Sequence, residues 1–308
     1  MSKIAFMFPG QGSQYIGMAK DFYAQFEESK KVFEQATQLL GFSMEELCFE
    51  ENENLHITEY TQAAMLTAST AILRQVESMG IQPDYTVGLS LGEYNALVAS
   101  KVLTFEEAVQ VVRQRGILMQ NAVPVGLGAM AAVLGAKKEV IEQVCEQTEG
   151  IVSIANYNCP GQIVISGEAE AVQKASEALK EQGVKRVVPL KVSGPFHSKM
   201  LEGAGKALLE VLDTVKIQKP VIPYVANVNA EVIEDAEPIK ELLSEQVASS
   251  VRFEQSIERL LEEGVTTFIE MGPGKTLSGF VKKINRSVNV INIEKVEDLE
   301  KLKEIVAC

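Results

Sequence analysis

Apolar runs and helical apolar spacings alternate over residues 1–123 in a way that is typical of α/β proteins. The first apolar run stops at Pro9-Gly10, which predicts a strand followed by a turn. The pattern predicts strands over 4–8 and 85–89, helices over 59–79, 91–100 and 105–121, and two more helices before about Leu40. This part of the chain is therefore expected to supply alternating strands and helices to one α/β body.

From about residue 124 the pattern changes to short, closely spaced segments. It predicts strands over 127–134, 151–155, 162–166 and 185–190 and helices over 137–149 and 168–182. The resulting β-α-β-β-α-β order is that of a ferredoxin-like unit. Beyond it, helices are predicted over 199–212, 239–247, 253–263 and 276–283, with short strands over 222–225, 267–269 and 288–293.

We therefore predict an α/β fold in which residues 1–123 and 193–308 form a large α/β-hydrolase-like body. Residues 124–192 are expected to form a small ferredoxin-like subdomain inserted into that body. Such an insertion leaves a cleft between two lobes, and ligands favour clefts at junctions of this kind. The functional site is therefore expected between the lobes.

The charge balance argues against two classes of partner. The 308 residues include 29 Lys and Arg against 42 Asp and Glu, which gives a formal net charge of −13 and a pI near 4.9. A chain this acidic is not suited to wrap nucleic acid or to coat an anionic membrane. Neither nucleic acid nor a membrane is therefore expected as a partner.

The cysteines and the longest uncharged stretch suggest no metal site and no membrane span. Cys48, Cys145, Cys159 and Cys308 show no C-x-x-C spacing, so zinc and dithiol sites are not predicted, and a reducing, cytoplasmic location is expected. Residues 116–136 carry no charge, but their Gly, Pro, Gln and Asn residues predict a helix end, a turn and a strand.

The segment Gly88-Leu89-Ser90-Leu91-Gly92 has the form G-x-S-x-G between a predicted strand and a predicted helix. This is the context of a nucleophile elbow, in which glycines permit a sharp turn that exposes the serine hydroxyl. The N-terminus of the following helix then offers backbone N–H groups to a developing oxyanion. The alternative is a glycine-flanked turn in which Ser90 only caps the helix.

A serine nucleophile needs a base, and the sequence contains two histidines. His56 lies in a polar, acidic stretch that is predicted to be a solvated loop. His197 follows the rigid turn Gly194-Pro195, so it is the expected base if Ser90 is the nucleophile, and otherwise it packs beside a helix start. No acidic third member is evident, although a carbonyl or amide also suffices to fix the imidazole tautomer.

Four motifs occur in order along the chain: MFPGQGSQ from Met7, GLSLGEY from Gly88, GPFHS from Gly194 and EMGPG from Glu270. Together they closely resemble the malonyl-CoA:acyl carrier protein transacylases, and the resemblance covers essentially the whole chain. The lobed fold of that family agrees with the inserted unit. The resemblance implies transfer of a malonyl group from malonyl-CoA to the phosphopantetheine thiol of acyl carrier protein through a seryl ester, as in fatty acid biosynthesis.

The resemblance also implies roles for individual residues. Ser90 is the implied nucleophile and His197 its base, and the backbone N–H groups of Gln11 and Leu91 are the implied oxyanion hole. Further implied roles are carboxylate binding by Arg115, orientation of the histidine by Gln246, an acyl pocket bordered by Leu89 and Phe196, and cleft shaping by Asn156, Asn158 and Gln162.

Two of these positions carry extra information. From the residues alone, an ion pair with Glu106 or Glu107 on the same helix explains Arg115 equally well. Leu89 stands where many members of the family carry histidine, whereas an aromatic residue such as Phe196 before the histidine accompanies use of malonyl groups.

The implied partners are acyl carrier protein and a coenzyme A thioester, and the phosphopantetheine belongs to the carrier, so no tightly bound cofactor is expected. A monomer is expected. Carrier proteins of this pathway are acidic, like this chain, so docking requires a local basic rim, for which the candidates are Lys185, Arg186, Lys191, Lys282, Lys283 and Arg286. The open alternatives are a serine esterase or thioesterase, a trans-acting polyketide acyltransferase, and a non-catalytic carrier-docking module.

Overall fold

The computed structural model describes residues 3–192 and 194–303, so that residue 193, at the predicted domain boundary, and Cys308 lie outside the described residues. The strands are β1 (Lys3–Phe8), β2 (Tyr85–Gly88), β3 (Gly128–Leu134), β4 (Val152–Cys159), β5 (Gln162–Glu168), β6 (Arg186–Pro189), β7 (Tyr224–Val225), β8 (Val232–Ile233), β9 (Val251–Arg252), β10 (Val265–Met271) and β11 (Asn289–Ile293).

The α-helices are α1 (Lys20–Gln25), α2 (Glu27–Leu40), α3 (Met44–Phe49), α4 (Thr58–Ser78), α5 (Gly92–Ala99), α6 (Phe105–Asn121), α7 (Lys138–Gln147), α8 (Ala169–Glu181), α9 (Glu202–Leu212), α10 (Ile239–Gln246), α11 (Phe253–Glu262) and α12 (Thr276–Ile284). Short 3-10 helices cover Asn54–His56, Lys199–Leu201 and Val296–Leu302. Helix α6 has the predicted bounds, and its start is fixed by a capping box between Thr104 and Glu107.

The larger sheet has the strand order β11-β10-β1-β2-β7-β8, and every neighbouring pair is parallel except β7 with β8. Helices cover both faces, which explains why the central strands are apolar on both sides. Along β1, Phe6 and Phe8 pack with the core that includes α2, α4 and α6, whereas Ala5 and Met7 pack with α11 and α12. The two faces of β1 thus belong to two separate cores.

The smaller sheet has the order β6-β3-β5-β4-β9. Its first four strands are antiparallel neighbours, and with α7 and α8 they have the ferredoxin-like arrangement. The predicted α/β fold class, with a large body and a small ferredoxin-like unit, is therefore confirmed. The domain boundaries at about 124 and 192 stay a prediction.

The two faces of the smaller sheet have different neighbours. Ala131, Val133 and Val187 pack against α7 and α8, whereas Met130 and Ala132 line a cleft between this sheet and the larger body. Successive residues of a strand point to opposite faces. The face of the smaller sheet that α7 and α8 do not cover is therefore one wall of the cleft.

The smaller sheet also receives a strand from the C-terminal half of the chain. Strand β9 pairs in parallel with β4, with Asn156 opposite Val251 and Tyr157 opposite Arg252. Helix α11 follows β9 directly and packs on the larger sheet. Backbone hydrogen bonds therefore join the smaller sheet to a segment that continues into the larger body.

The sequence pattern did not predict α3, β8, β9 or two of the 3-10 helices. Strands β8 and β9 have two residues each, which is too short to produce a period. Strand β4 extends to Cys159, past its predicted end at 155. Asn156 and Asn158 disfavour a strand locally, but Asn156, Tyr157 and Cys159 are paired with β5 in the sheet.

No helix in the described ranges is long and apolar enough to cross a membrane. The uncharged stretch 116–136 divides into the end of α6, a turn and β3, as predicted. Across those same ranges, no group of three or more His, Cys, Asp or Glu side chains is arranged to hold a metal ion.

Candidate active site

Ser90 lies at the sharp turn between β2 and α5. Its φ is 54°, in the left-handed region that non-glycine residues rarely adopt. The flanking glycines are required by close backbone contacts, because a Cβ on Gly88 would lie 1.9 Å from the carbonyl carbon of Gly92. A Cβ on Gly92 would lie 2.1 Å from the carbonyl oxygen of Phe8. A side chain at either position would push the helix away from the strands, so the glycines maintain the elbow.

Asn227 holds this elbow from behind. Its Oδ1 accepts a hydrogen bond from the Ser90 backbone N–H at 2.7 Å, and its Nδ2 donates to the Gly88 carbonyl at 2.7 Å. The Asn227 side chain is buried. These two bonds help to keep Ser90 in a backbone conformation that is unfavourable by itself.

The two residues predicted to react lie together. The Oγ of Ser90 is 2.7 Å from Nε2 of His197, although 107 positions separate them in the chain. His197 also has a left-handed φ, of 57°, in the turn that follows Gly194-Pro195. The Ser90 hydroxyl thus faces an imidazole rather than capping α5, for which no side-chain cap exists among the described residues.

A main-chain carbonyl sets the orientation of His197. The ring Nδ1 is 2.8 Å from the carbonyl oxygen of Gln246. Because a carbonyl only accepts, Nδ1 carries the proton and Nε2 presents its lone pair to the Ser90 hydroxyl. Asp84, the aspartate nearest to Ser90 in the sequence, accepts from the Ile4 backbone N–H, and Asp213, the first aspartate after His197, pairs with Lys240. The carbonyl therefore occupies the place that an acid takes in a Ser-His-Asp triad.

The environment keeps His197 neutral. Burial lowers the pKa of His197 to about 4, and the positive charge of Arg115 acts in the same direction. The hydrogen bond to the Gln246 carbonyl opposes this shift and has a smaller effect on the pKa. At neutral pH the imidazole is therefore able to accept a proton from the serine.

Helix α6 brings Arg115 to the same point. Its side chain is 1% exposed. Its Nη1 donates to Oε1 of Gln62 at 2.8 Å, and its Nη2 donates to Oε1 of Gln246 at 2.8 Å and lies 3.4 Å from Oγ of Ser90. Its Nε finds no hydrogen-bond partner in the described part of the chain.

Arg115 does not form the ion pair that the sequence left open. Glu107 instead forms a capping box with Thr104 at the start of α6, whereas Arg115 lies in the second half of the helix. Burial lowers the pKa of Arg115, and the ring of Tyr94 lies 5.5 Å from its guanidinium carbon. A buried guanidinium whose Nη2 lies beside a serine hydroxyl is suited to bind a carboxylate.

The Gln246 side chain continues this network behind Ser90. Its Nε2 donates to the Ser90 carbonyl at 3.0 Å and to Oε2 of Glu93 at 2.7 Å. Oε2 of Glu93 also accepts from the Asn227 backbone N–H at 3.1 Å. Burial raises the pKa of Glu93 to about 7, against the effect of these hydrogen bonds and of the Arg115 charge.

Gln11 and Leu91 border the cleft beside Ser90, one in the turn after β1 and the other just before α5. The Gln11 side chain is anchored by a 3.1 Å hydrogen bond from its Nε2 to Oγ1 of Thr58. Neither backbone N–H donates to an acceptor within the described ranges. Two donors near a helix N-terminus are therefore free to bind an oxyanion.

The cleft above Ser90 has a volume of about 490 Å³. Leu89 and Phe196 border the cleft on the side of the large body, and their role as an acyl pocket stays a prediction. The opposite wall is formed by the smaller sheet and the residues after β6, including Met130, Ala132, Asn156, Asn158, Gln162, Val164, Leu190 and Lys191. Apolar and polar side chains share this wall, and the three amide side chains expected to shape the cleft lie along it.

Some residues of this site were not found from the sequence. His56 is exposed, as predicted, but its short 3-10 helix also borders the cleft. The sequence did contain a signal for Glu93, which is a charged residue in the first turn of the helix that follows the elbow. Because this helix is buried, a charged side chain on it needs buried partners. Gln62 and Asn227 lie far from Ser90 in the chain, within segments that carry no motif, so no local signal was available.

A serine–histidine pair at a nucleophile elbow, with two backbone donors beside it, defines an enzyme that forms an acyl-serine. The acyl transferase domain model matches residues 5–303. The malonyl CoA-acyl carrier protein transacylase of Bacillus subtilis is 52% identical over 304 residues, with 97% of this chain and 96% of that protein covered.

Solved structures agree. The malonyl CoA-acyl carrier protein transacylase of Clostridium perfringens superposes with a TM-score of 0.96 at 47% identity, covering 99% of this chain and 98% of that one. A malonyl-transacylase in complex with a type II polyketide synthase acyl carrier protein gives a TM-score of 0.96 at 38% identity, covering 99% and 100%. The chain therefore belongs to the acyl transferase family, in the branch of the malonyl CoA-acyl carrier protein transacylases.

Proposed function

We propose that this protein transfers a malonyl group from malonyl-CoA to the phosphopantetheine thiol of an acyl carrier protein, through an ester on Ser90. The observation that carries the proposal is the buried Arg115, whose Nη2 lies 3.4 Å from the Ser90 hydroxyl and whose present hydrogen-bond partners are neutral amides. The names of the Bacillus subtilis and Clostridium perfringens proteins support this donor and this acceptor.

In the first half-reaction, His197 Nε2 takes the proton of the Ser90 hydroxyl as Oγ attacks the thioester carbonyl. The new C–O bond gives a tetrahedral oxyanion, which the N–H groups of Gln11 and Leu91 stabilise. The C–S bond then breaks, and the imidazolium returns its proton to the coenzyme A sulfur. The Gln246 carbonyl holds the imidazole in the tautomer that this transfer needs.

Arg115 selects the acyl group. A malonyl carboxylate pairs with the guanidinium, whereas an acetyl group leaves the buried cation without an anionic partner. Such a penalty gives a preference for malonyl over acetyl of roughly two orders of magnitude. The present partners of the guanidinium, Gln62 and Gln246, are neutral amides, so they do not compete with the carboxylate as an acid would.

In the second half-reaction, a carrier thiol replaces coenzyme A in the cleft. His197 accepts the thiol proton as the sulfur attacks the ester, the C–S bond forms, and the C–O bond to Ser90 breaks with return of the proton to Oγ. One site thus serves both thiols in turn.

The carrier is proposed to dock at the mouth of the cleft on the basic residues named above. Lys185, Arg186 and Lys191 are exposed near the end of the smaller sheet, and Lys191 borders the cleft. Lys283 approaches Gln162 of the wall at 3.4 Å. Basic groups from both lobes at one cleft suit an acidic partner.

Fatty acid synthesis is the proposed pathway, and polyketide assembly is the alternative, since a relative of 38% identity is complexed with a polyketide carrier. A serine hydrolase would share the elbow but has no use for Arg115. A docking module without catalysis does not require the 2.7 Å contact between Ser90 and His197.

The deciding experiment is the intact mass of the protein after brief exposure to malonyl-CoA, followed by peptide mapping and addition of holo acyl carrier protein. We expect a malonyl adduct on Ser90 that moves to the carrier, and no adduct in Ser90→Ala, with Ser13→Ala as the control that stays labelled. Release of malonate to water without carrier acylation indicates a hydrolase. No adduct on wild-type protein contradicts the proposal.

A further inference from the structure

The Gln246 amide lies between two buried groups of opposite charge. Its Oε1 accepts from Nη2 of Arg115 at 2.8 Å, and its Nε2 donates to Oε2 of Glu93 at 2.7 Å. Both charged side chains are 1% exposed. The amide therefore links a guanidinium to a carboxylate that does not touch it directly.

Only one orientation of this amide is compatible with its surroundings. In the opposite orientation, the NH₂ group would face the guanidinium donors, and the carbonyl oxygen would face the carboxylate of Glu93 and the Ser90 carbonyl. A donor against a donor and an acceptor against an acceptor are both unfavourable in a buried site. Oε2 of Glu93 is thus one of three groups, with the Ser90 carbonyl and the Arg115 guanidinium, that determine which way Gln246 points.

Glu93 is itself fixed at both ends. It lies on α5, in the first turn after Ser90, and its Oε2 accepts a second hydrogen bond from the Asn227 backbone N–H at 3.1 Å. Its position is therefore tied to the elbow and to the segment after β7, rather than to a mobile surface.

A direct ion pair would occupy the guanidinium that the proposed function assigns to the substrate. With one amide interposed, the carboxylate can set the orientation of Arg115 without occupying its donor fork.

We propose that Glu93 is a positioning residue for acyl-group selection: by fixing the Gln246 amide, it aims the Arg115 guanidinium at the carboxylate of the acyl group. The inference rests on the proposed function, since it assumes that Arg115 binds that carboxylate. In this inference, the property of Glu93 that matters is the position of its acceptor oxygen, and not its charge.

Two conservative variants separate these properties. Glu93→Gln removes the charge but retains an oxygen with the same reach, which can accept from both Gln246 and Asn227. Glu93→Asp keeps the charge but withdraws the oxygen by one methylene. We measure kcat/KM for malonyl-CoA and for acetyl-CoA with holo carrier protein, and we compare the ratio of the two values, with thermal unfolding as the check on folding.

We expect the malonyl-to-acetyl ratio to stay within about twofold of wild type in Glu93→Gln. In Glu93→Asp we expect the ratio to fall by about tenfold, because a small misplacement of a binding group is costly. Glu270→Gln is the matched control: this buried carboxylate caps α12 through Leu277 and Ser278, so its loss affects stability and not the ratio.

Three results overturn the inference: an unchanged ratio in Glu93→Asp, a ratio in Glu93→Gln as low as in Glu93→Asp, or equal losses of malonyl and acetyl transfer. Arg115→Ala distinguishes this failure from that of the proposed function. If Arg115→Ala lowers the ratio and Glu93→Asp does not, only the role of Glu93 is wrong. If Arg115→Ala leaves the ratio unchanged, the assignment of the carboxylate to Arg115 is wrong.

Discussion

The two sides of the cleft are built in different ways. On the side of the large body, Ser90, His197, Arg115 and Gln246 hold one another through hydrogen bonds of 2.7 to 3.0 Å and one of 3.4 Å. On the side of the smaller sheet, apolar and polar side chains share the wall, and Oδ1 of Asn158 has no hydrogen-bond partner among the described residues. The body side fixes atoms in place, whereas the sheet side supplies shape.

The backbone shows the same division. The described non-glycine residues with left-handed φ are Ala19, Ser90, Lys101, His197 and Ala230, and all lie outside 124–192. Two of them are the residues proposed to react. Strained backbone persists where surrounding contacts enforce it, as Asn227 does for Ser90. This difference agrees with our proposal that the large body carries the reacting residues and the smaller sheet shapes the cleft for the substrate.

The largest effect that tests this division is expected for Arg115→Ala. We expect kcat/KM for malonyl transfer to fall by about 100-fold, and acetyl transfer to fall far less, because only malonyl loses a charged contact. Steady-state kinetics with both thioesters measures it. The control is Arg113→Ala on the same helix, where Arg113 pairs with Glu59 at 3.0 Å. Equal losses with both thioesters would make Arg115 structural.

The second effect is the titration of His197. Because burial and the Arg115 charge both disfavour the imidazolium, the pKa of His197 is expected near 4, and Arg115→Ala should raise it. NMR of the ring proton in a His56→Gln background leaves a single imidazole to follow. A pKa at or above the ordinary 6.5 would contradict the buried, neutral base.

The lowered pKa of His197 also predicts how the stability of the folded protein changes with pH. Between pH 6.5 and about 4, the unfolded chain binds more protons at this residue than the folded chain, so unfolding becomes easier as the pH falls through that window. Above pH 6.5 the contribution of His197 is constant.

The smallest effect is expected on the sheet side. Asn158→Ala should lower malonyl and acetyl transfer by similar factors of about two to five, because the side chain shapes the wall without holding a reacting atom. The same kinetic assay measures both. A loss as large as that of Arg115→Ala would mean that the wall takes part in the reaction, and the proposed difference in role between the two sides of the cleft would be wrong.

The sequence predicted helices and strands correctly where a hydrophobic period continued over many residues or where capping and turn residues marked the ends. Helix α6 has the predicted bounds because Thr104 and Glu107 mark its start, and the closely spaced segments after residue 124 indicated the ferredoxin-like unit. Strand β9 was missed because two residues carry no period, and its pairing with β4 depends on a contact across nearly a hundred positions.

The site divides in the same way. Ser90 and His197 were found because an elbow motif and a scarcity of histidines restrict the choice. The histidine-orienting role implied for Gln246 is supported by contact, but the contact is made by the main chain, and the side chain binds Arg115 and Glu93 instead. Which atom of a residue makes a contact depends on the tertiary fold, and residue type alone does not determine it.

The pairing of β9 with β4 has a mechanical consequence. Strand β9 begins five residues after Gln246, whose carbonyl holds the imidazole, and it is hydrogen-bonded to the strand that carries Asn156 and Asn158. A tilt of the smaller lobe is therefore expected to strain the short segment between Gln246 and β9, and so to move the carbonyl that aligns the histidine. We therefore expect wide opening of the cleft to disturb the alignment of His197, and we expect thiols to enter and leave with the two lobes near their present separation.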